Sequence, residues 1–215
     1  MKKEALFRGG IYLSGIMILA MGIMLCTKTD LGVTPITAPA FALASGLGVS
    51  FPVMVFGQYI VMVALEFLID GRERKWKNLL QVPFAVVFSS FLNWFGALFS
   101  FQLETLWQRV LLLAVATVCI SVGASMMVSM RLVTNPADAL YMSMSRRWKR
   151  DSGFMKNILD IACVALAIVI DLLFVRKLVS VGVGTVAAMI VVGRIVYLFN
   201  RLCRNKLLAL AGLTP

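Results

Sequence analysis

Three charged side chains lie within or beside long apolar stretches of the sequence. Arg194 lies well inside the last stretch, Asp160 lies just inside the fifth, and Asp138 lies near the start of a short segment between two others. Charged groups inside a bilayer are costly and are functional candidates by default. A buried arginine needs a carboxylate, backbone carbonyls or a ligand anion. Arg194 therefore forms either a structural ion pair with an aspartate or a site for an anion.

Uncharged polar residues at similar depths extend this candidate set. A buried amide must form hydrogen bonds across helices or to a ligand. Asn93 in the third apolar stretch fits an interhelical contact, and Gln58 occupies nearly the position of Asp160 in the other half of the chain. The candidate substrate-binding residues are Thr34, Gln58, Asn93, Thr134, Asn135, Asp138, Asp160 and Arg194.

The residue types that most enzymes and metalloproteins need are missing or scattered. The chain has no histidine, which removes the usual general base and the commonest metal ligand. Its four cysteines occur singly in apolar runs, without the close spacing of a metal site. No phosphate-binding or dinucleotide-binding glycine pattern occurs. We therefore expect no cofactor, no metal and no enzymatic activity.

Composition places the chain in a membrane. Of its 215 residues 60% are hydrophobic, and the mean hydropathy is +0.92. A soluble domain is closer to half apolar, whereas a membrane-spanning helix needs about 20 mostly apolar residues. Six stretches fit this length or nearly so: Leu6–Cys26, Val53–Ile69, Leu79–Phe101, Leu106–Met127, Ile158–Leu173 with its flanks, and Val179–Leu202.

The net charge is +11, and the positions of the basic residues are those of a membrane protein rather than of a nucleic-acid-binding protein. Lys and Arg cluster in alternate loops, as the positive-inside rule predicts. The cytoplasmic set is Lys2, Lys3, Arg8, Arg72, Arg74, Lys75, Lys77, Arg131, Arg146, Arg147, Lys149, Arg150, Lys156, Arg201, Arg204 and Lys206. We therefore predict a multi-pass protein of the bacterial inner membrane with both termini in the cytoplasm, the first stretch being a retained span rather than a signal peptide.

Two short segments between the spans begin with proline. Asn135 is a good N-cap for a helix that starts at Pro136, and Asp138 falls in the first turn, where the helix dipole favours a carboxylate. Thr34 and Pro35 begin a similar segment in the first half. The sequence thus predicts short helices near residues 34–47 and 135–147.

These segments indicate an internal duplication. Without a gap, Leu31 aligns with Leu132, Pro35 with Pro136, Ala38 with Ala139, and Gly22 with Gly123. The predicted repeats are residues 1–103 and 104–215. Because each repeat has three spans, an odd number, the second copy is inserted upside down, as in many secondary transporters. The short helices would then be re-entrant or broken; the alternative is an amphipathic connector lying on the membrane surface.

The same segments resemble the YczE/YyaS/YitT-type bacterial integral membrane proteins. The resemblance rests on Leu31–Pro35 with Gly46–Phe51, on Asn135–Leu140, and on Ser180–Thr185 with its Gly-x-Gly-Thr motif. It implies a polytopic inner-membrane protein and carries over no settled activity. In the first half, Thr37 replaces the acidic residue of the family motif.

Two functions follow from this architecture. The first is a small secondary transporter or facilitator for a small polar or anionic solute, with its site between the two helix starts. The second is a membrane scaffold or regulatory partner, whose centre would be filled by side chains. The partners are then the lipid bilayer and a small molecule or ion; a homodimer is compatible with so small a chain.

Overall fold

The computed structural model describes residues 2–73 and 75–213; Arg74, which contributes to the predicted cytoplasmic charge, lies outside them. Within these residues the chain forms eight α-helices. They are α1 (Lys2–Thr27), α2 (Ala38–Leu47), α3 (Phe51–Asp70), α4 (Gln81–Leu98), α5 (Leu106–Met130), α6 (Pro136–Trp148), α7 (Ser152–Ile170) and α8 (Val183–Leu210). Short 3₁₀ turns precede α2 and α4, and a π-helical turn extends α7 to Val175.

Six of these helices are long and apolar enough to cross a membrane, which confirms the predicted all-α, six-span fold. Counting their 3₁₀ and π-helical extensions, they are 20 to 28 residues long, and at 1.5 Å per residue most match or exceed a hydrocarbon core of about 30 Å. The other two helices, α2 and α6, are shorter and have 10 and 13 residues.

The helix ends gather at two opposite faces of the bundle. At one face, which we call the basic end, the Arg8 guanidinium donates to the carbonyls of Met130 and Arg131. The Asp70 carboxylate at this end accepts from Ser143 and pairs with Arg146 at 3.3 Å. At the opposite end, Arg109 pairs with Asp30 at 3.3 Å. Helices α1 and α5 therefore run in opposite directions between the two faces.

Helices α1 and α5 cross at two glycines, Gly22 and Gly123, that align in the predicted duplication. A Cβ atom at Gly22 would lie 2.8 Å from the Ile120 backbone nitrogen, and one at Gly123 would lie 2.5 Å from that of Leu19. Real Cβ atoms do not approach backbone this closely, so only glycine permits the crossing. The two related helices thus pack backbone to backbone at the centre of the bundle.

The substitution Gly123→Ala is expected to lower the stability of the protein. Overpacking of this kind costs about 1–3 kcal/mol, against the gain of up to about 1 kcal/mol that alanine brings to an ordinary helix position. Gly57→Ala is the matched control, because a Cβ at that helical position meets nothing within 4 Å. Thermal unfolding in detergent should show a lower midpoint for the first variant only; equal midpoints would contradict the close crossing.

Each short helix begins in the protein interior and ends at the surface. Ala38, Ala40 and Ala42 of α2 are fully buried, whereas Leu47 at its end is 51% exposed. Ala137 and Leu140 of α6 are buried, and its last residues Arg146–Trp148 are exposed. Both helices pack against α3 and α7. Burial of their first turns differs from what a connector lying flat on the membrane surface would show.

The helices of the two halves correspond at a constant offset of 101 residues. Under this offset α1 to α4 correspond to α5 to α8, the packing of α1 on α4 corresponds to that of α5 on α8, and the packing of α2 on α7 corresponds to that of α6 on α3. One pair departs from this symmetry: α3 packs on α4, where the Tyr59 ring stacks on Phe88, whereas α7 and α8 make at most a marginal contact. The predicted repeat boundaries are compatible with these correspondences.

Candidate functional site

The starts of the two short helices face one cavity of about 130 Å³, which we call the central cavity. Its walls come from α1, α3, α5, α7 and α8 as well as from the two helix starts. The polar residues of its lining are Thr34, Thr37, Tyr59, Asn135, Asp138, Lys156 and Asp160. Four of the predicted site residues therefore lie together: Thr34, Asn135, Asp138 and Asp160.

Asn135 connects the second helix start to the first half of the chain. Its Oδ1 accepts from the Ala137 backbone N–H at 3.0 Å, which is the N-cap that the sequence predicts. Its Nδ2 donates to the Tyr59 hydroxyl at 3.3 Å. Because Pro136 has no N–H and Ala137 is capped, the first turn of α6 is fixed in place at the cavity wall.

The first helix start is held by different contacts. The Thr34 and Thr37 hydroxyls lie 2.7 Å apart, and both residues line the central cavity. Behind them, Gln58 Oε1 accepts from the Ala40 N–H at 3.0 Å, and its Nε2 donates to the Ile36 carbonyl. Gln58 thus fixes the first turn of α2 by hydrogen bonds to its backbone, and it does not line the central cavity.

Asp160 provides the most buried charge of the central cavity. Its side chain is 3% exposed, and its Oδ2 accepts from Lys156 Nζ at 2.5 Å, one helical turn away on α7. The Lys156 side chain is 42% exposed. The other carboxylate oxygen, Oδ1, is buried without a hydrogen-bond partner among the described residues. Such an orphaned acceptor is costly unless a ligand or water satisfies it.

Asp138 lies in the first turn of α6 and lines the central cavity beside Asp160. Burial raises the pKa of Asp138 to about 6, and the nearby Lys156 ammonium and a hydrogen bond with Tyr141 oppose this rise. Its charge therefore changes close to physiological pH. A carboxyl group with such a pKa can take up or release a proton during a transport cycle.

Two further cavities lie between the central cavity and the basic end. A cavity of about 310 Å³ shares Leu19, Ala124, Asn135 and Asp138 with the central cavity. A third, of about 240 Å³, shares Leu132–Thr134 with the second and contains Lys75, Lys77 and Arg146 at the basic surface. We call these two cavities the vestibule; Thr134 lines both of them.

The equivalent region at the opposite end is closed. The Val33 N–H donates to the Ser180 carbonyl at 3.0 Å, and the Gly184 N–H donates to the Leu31 carbonyl at 2.7 Å. At Gly32, whose φ is +95°, a Cβ would lie 2.5 Å from the Gly182 nitrogen. Leu31–Val33 correspond by the offset to Leu132–Thr134. The first segment is hydrogen-bonded to the residues before α8, whereas the second lines the two vestibule cavities.

The structure corrects the expected positions of Arg194 and Asn93. Arg194 is exposed on α8 and lines no cavity described above; within the described residues its expected pairing with Asp138 or Asp160 does not occur. Val192 of the same helix faces the central cavity, and a residue two positions further points about 200° away. Asn93 is exposed on α4 beside Ser89, in a groove on the outer surface.

Three polar residues of the central cavity were not predicted as site residues: Thr37, Tyr59 and Lys156. Extending the alignment of the two halves would have pointed to the first two, because Thr37 corresponds to Asp138 and Tyr59 to Asp160. Lys156 precedes Asp160 by four residues, a spacing at which side chains meet on a helix. Among the described residues no group of acidic or cysteine side chains has the arrangement of a metal site.

Comparison with known proteins gives a family and no activity. A family model described as a family of unknown function, DUF6198, matches residues 6–201, so the chain belongs to this family. No curated protein and no solved structure matches the chain. The resemblance to the YczE/YyaS/YitT-type proteins stays a prediction.

Proposed function

We propose that this DUF6198 protein is a small secondary transporter or facilitator of the bacterial inner membrane. The observation that carries the proposal is the meeting of two half-length helix starts at one polar cavity, between halves that correspond at a fixed offset. Inverted repeats with broken or re-entrant helices around a central site are a recurring plan of secondary transporters. The solute is small and polar, and Asp138, Asp160, Thr34 and Asn135 bind it.

The unequal access to the central cavity supports this proposal. The vestibule leads from the cavity to the basic end, whereas the backbone contacts around Gly32 close the opposite end. By the positive-inside rule the basic end faces the cytoplasm. The structure then corresponds to an inward-facing state, and exchange of the two conformations between the related halves would give the outward-facing state.

The charges of the central cavity argue against the anionic solutes that the sequence suggested. That expectation depended on Arg194, which lies on the outer surface of α8. The cavity contains two carboxylates and one ammonium group instead. A membrane scaffold, the alternative function, would have side chains filling this space, which is instead an open cavity lined by polar residues.

Uptake into proteoliposomes tests the proposal, with radiolabelled urea, glycine and guanidinium as probes. We expect at least one solute to enter faster than into protein-free liposomes. Asp138→Asn should slow that uptake about tenfold, because a charge-assisted contact contributes about 1.5–3 kcal/mol. Since the pKa of Asp138 is about 6, wild-type uptake should fall about fourfold between pH 7.5 and 5.5 as the carboxylate is protonated. The variant should lose this dependence.

The matched control for this experiment is Asp151→Asn. Asp151 is exposed at the N-cap of α7, where asparagine can replace it, and it lies outside the central cavity. Its uptake should stay within about twofold of the wild type, with the same pH dependence. The pH dependence of uptake also reflects the titratable groups that face the Asp138 carboxyl, which are Lys156, Asp160, Tyr141 and Tyr59. No uptake of any probe, or equal uptake in all three proteins, would contradict the proposal.

A further inference from the structure

The central cavity has an unequal number of positive and negative groups. Asp138 and Asp160 both line it, and Lys156 is the one cation of its lining within the described residues. When both carboxyl groups are ionised, one negative charge has no cationic partner. An unpaired charge in a cavity is strongly destabilising, so the arrangement favours the entry of a second cation.

The ion pair of this cavity joins a fixed partner to a movable one. Asp160 is 3% exposed and is held in the wall of the cavity by its helix. Lys156 is 42% exposed, and its long side chain starts one turn nearer the basic end. The lysine can therefore turn toward water while the aspartate cannot, which makes the ammonium group the partner that can leave.

The cavity also limits the kind of cation that fits. Its volume of about 130 Å³ is enough for several water molecules or for one small organic cation. Most of its remaining lining is aliphatic, including Leu19, Ile23 and Ile120. Such walls suit a weakly hydrated organic cation, and no group of three acidic or cysteine side chains among the described residues is placed to hold a metal ion.

We propose that the central cavity binds a small organic cation with at least two N–H donors, of the guanidinium or methylammonium type, which displaces Lys156 from Asp160. This inference rests on the proposed function and names the substrate class of the same site. The ligand donates one N–H to Oδ2 of Asp160, the oxygen that Lys156 releases, and another to the Asp138 carboxylate in the same cavity. Asp138 balances the second positive charge while Lys156 is still close.

This arrangement gives Lys156 the role of an internal competitor. In the empty site its ammonium neutralises Asp160, and after binding it turns toward the vestibule and water. The tethered amine is present at an effective concentration of the order of millimolar, so it limits the affinity for the ligand. Lys156 is thereby a specificity-determining residue, because a neutral solute cannot replace it.

Calorimetric titration of the purified protein in detergent tests this inference at constant ionic strength. Guanidinium and methylammonium chloride, at millimolar concentrations, should give saturable heats. Sodium and tetramethylammonium chloride should give none, since one lacks N–H donors and prefers oxygen ligands and the other has no donor. Lys156→Met should bind guanidinium about tenfold more tightly because the competitor is gone. Equal affinity in the two proteins, or equal heats from sodium, would overturn the inference.

Chemical labelling of the wild-type protein tests the displacement without any variant. Guanidinium should increase the rate at which an amine-acetylating reagent modifies Lys156, measured by mass spectrometry, because the released amine becomes accessible. The exposed Lys177 near the opposite end should keep its rate. An unchanged or reduced rate at Lys156 would overturn the displacement step.

Failure of this inference is distinguishable from failure of the proposed function. If urea or glycine enters proteoliposomes while guanidinium gives no heat, the cation site is wrong and transport stands. If guanidinium binds and displaces Lys156 but no probe is transported, the site is right and the transporter proposal is wrong.

Discussion

Replacing Asp160 with asparagine is expected to reduce both cation binding and uptake by about 10- to 100-fold, because the loss of a charge-assisted contact costs about 1.5–3 kcal/mol and each 1.36 kcal/mol is a factor of ten. Two effects act together. The ligand loses its buried anionic partner, and the ammonium group of Lys156 is left unpaired at 2.5 Å from the former carboxylate. The cavity then contains one carboxylate, Asp138, and one ammonium group, Lys156, so its net negative charge is lost. Titration with guanidinium and proteoliposome uptake measure the two effects separately.

The double variant Asp160→Asn with Lys156→Met provides the sharpest control. It removes the carboxylate and the ammonium group together, so the negative charge of Asp138 again dominates the cavity. We expect it to recover part of the guanidinium binding lost in the single variant. A double variant that binds no better than Asp160→Asn alone would show that Lys156 does not oppose the ligand.

A second large effect is expected from Asp171→Ala at the opposite end. Asp171 is fully buried, and its Oδ2 accepts from the Val179 N–H at 3.0 Å, the Ser180 N–H at 2.9 Å and the Ser180 hydroxyl at 2.7 Å. Ser180 in turn bonds Val33, so this carboxylate holds the closed end together. Its removal leaves buried donors without a partner, at a cost of about 3–5 kcal/mol.

The measurement is the unfolding midpoint of the purified protein in detergent. For a chain of this size, such a loss corresponds to a fall of about 10 °C. Asp30→Asn is the control, because Asp30 is 69% exposed, its ion pair with Arg109 contributes little, and asparagine tolerates the positive φ of 53° at this position. If both variants unfold at the same temperature as the wild type, the buried carboxylate is not what fixes the closed end.

Local signals account for the parts of the structure that could be predicted. The apolar stretches have the length of spans, and Asn135 followed by Pro136 is a helix start in the sequence and in the structure. Thr34 and Asn135 were expected at one site because equivalent segments of an inverted pair would meet near its axis, and both residues line the central cavity. These features depend on neighbouring residues or on an alignment, which a single sequence contains.

The direction in which side chains point could not be predicted in the same way. The last span is apolar on all sides, so the sequence did not show which face of α8 meets the protein, and Arg194 was expected at the cavity although it lies on the outer surface. The error for Lys156 was the opposite one: the sequence placed it among the cytoplasmic loop charges, although it lines the central cavity. Its spacing from Asp160 allows the ion pair, but only the packing of α6 against α7 places this pair beside Asp138 at the central cavity.

The central claim is that the two short helices begin at one cavity and end at opposite faces of the membrane. Cysteine labelling in intact cells tests it most directly, in a background where the four native cysteines are replaced with alanine. Ser50→Cys, just after α2, and Lys149→Cys, just after α6, are both exposed positions. A membrane-impermeant maleimide should label the first from outside and the second only after permeabilisation. Labelling of both from the same side would contradict the inverted arrangement.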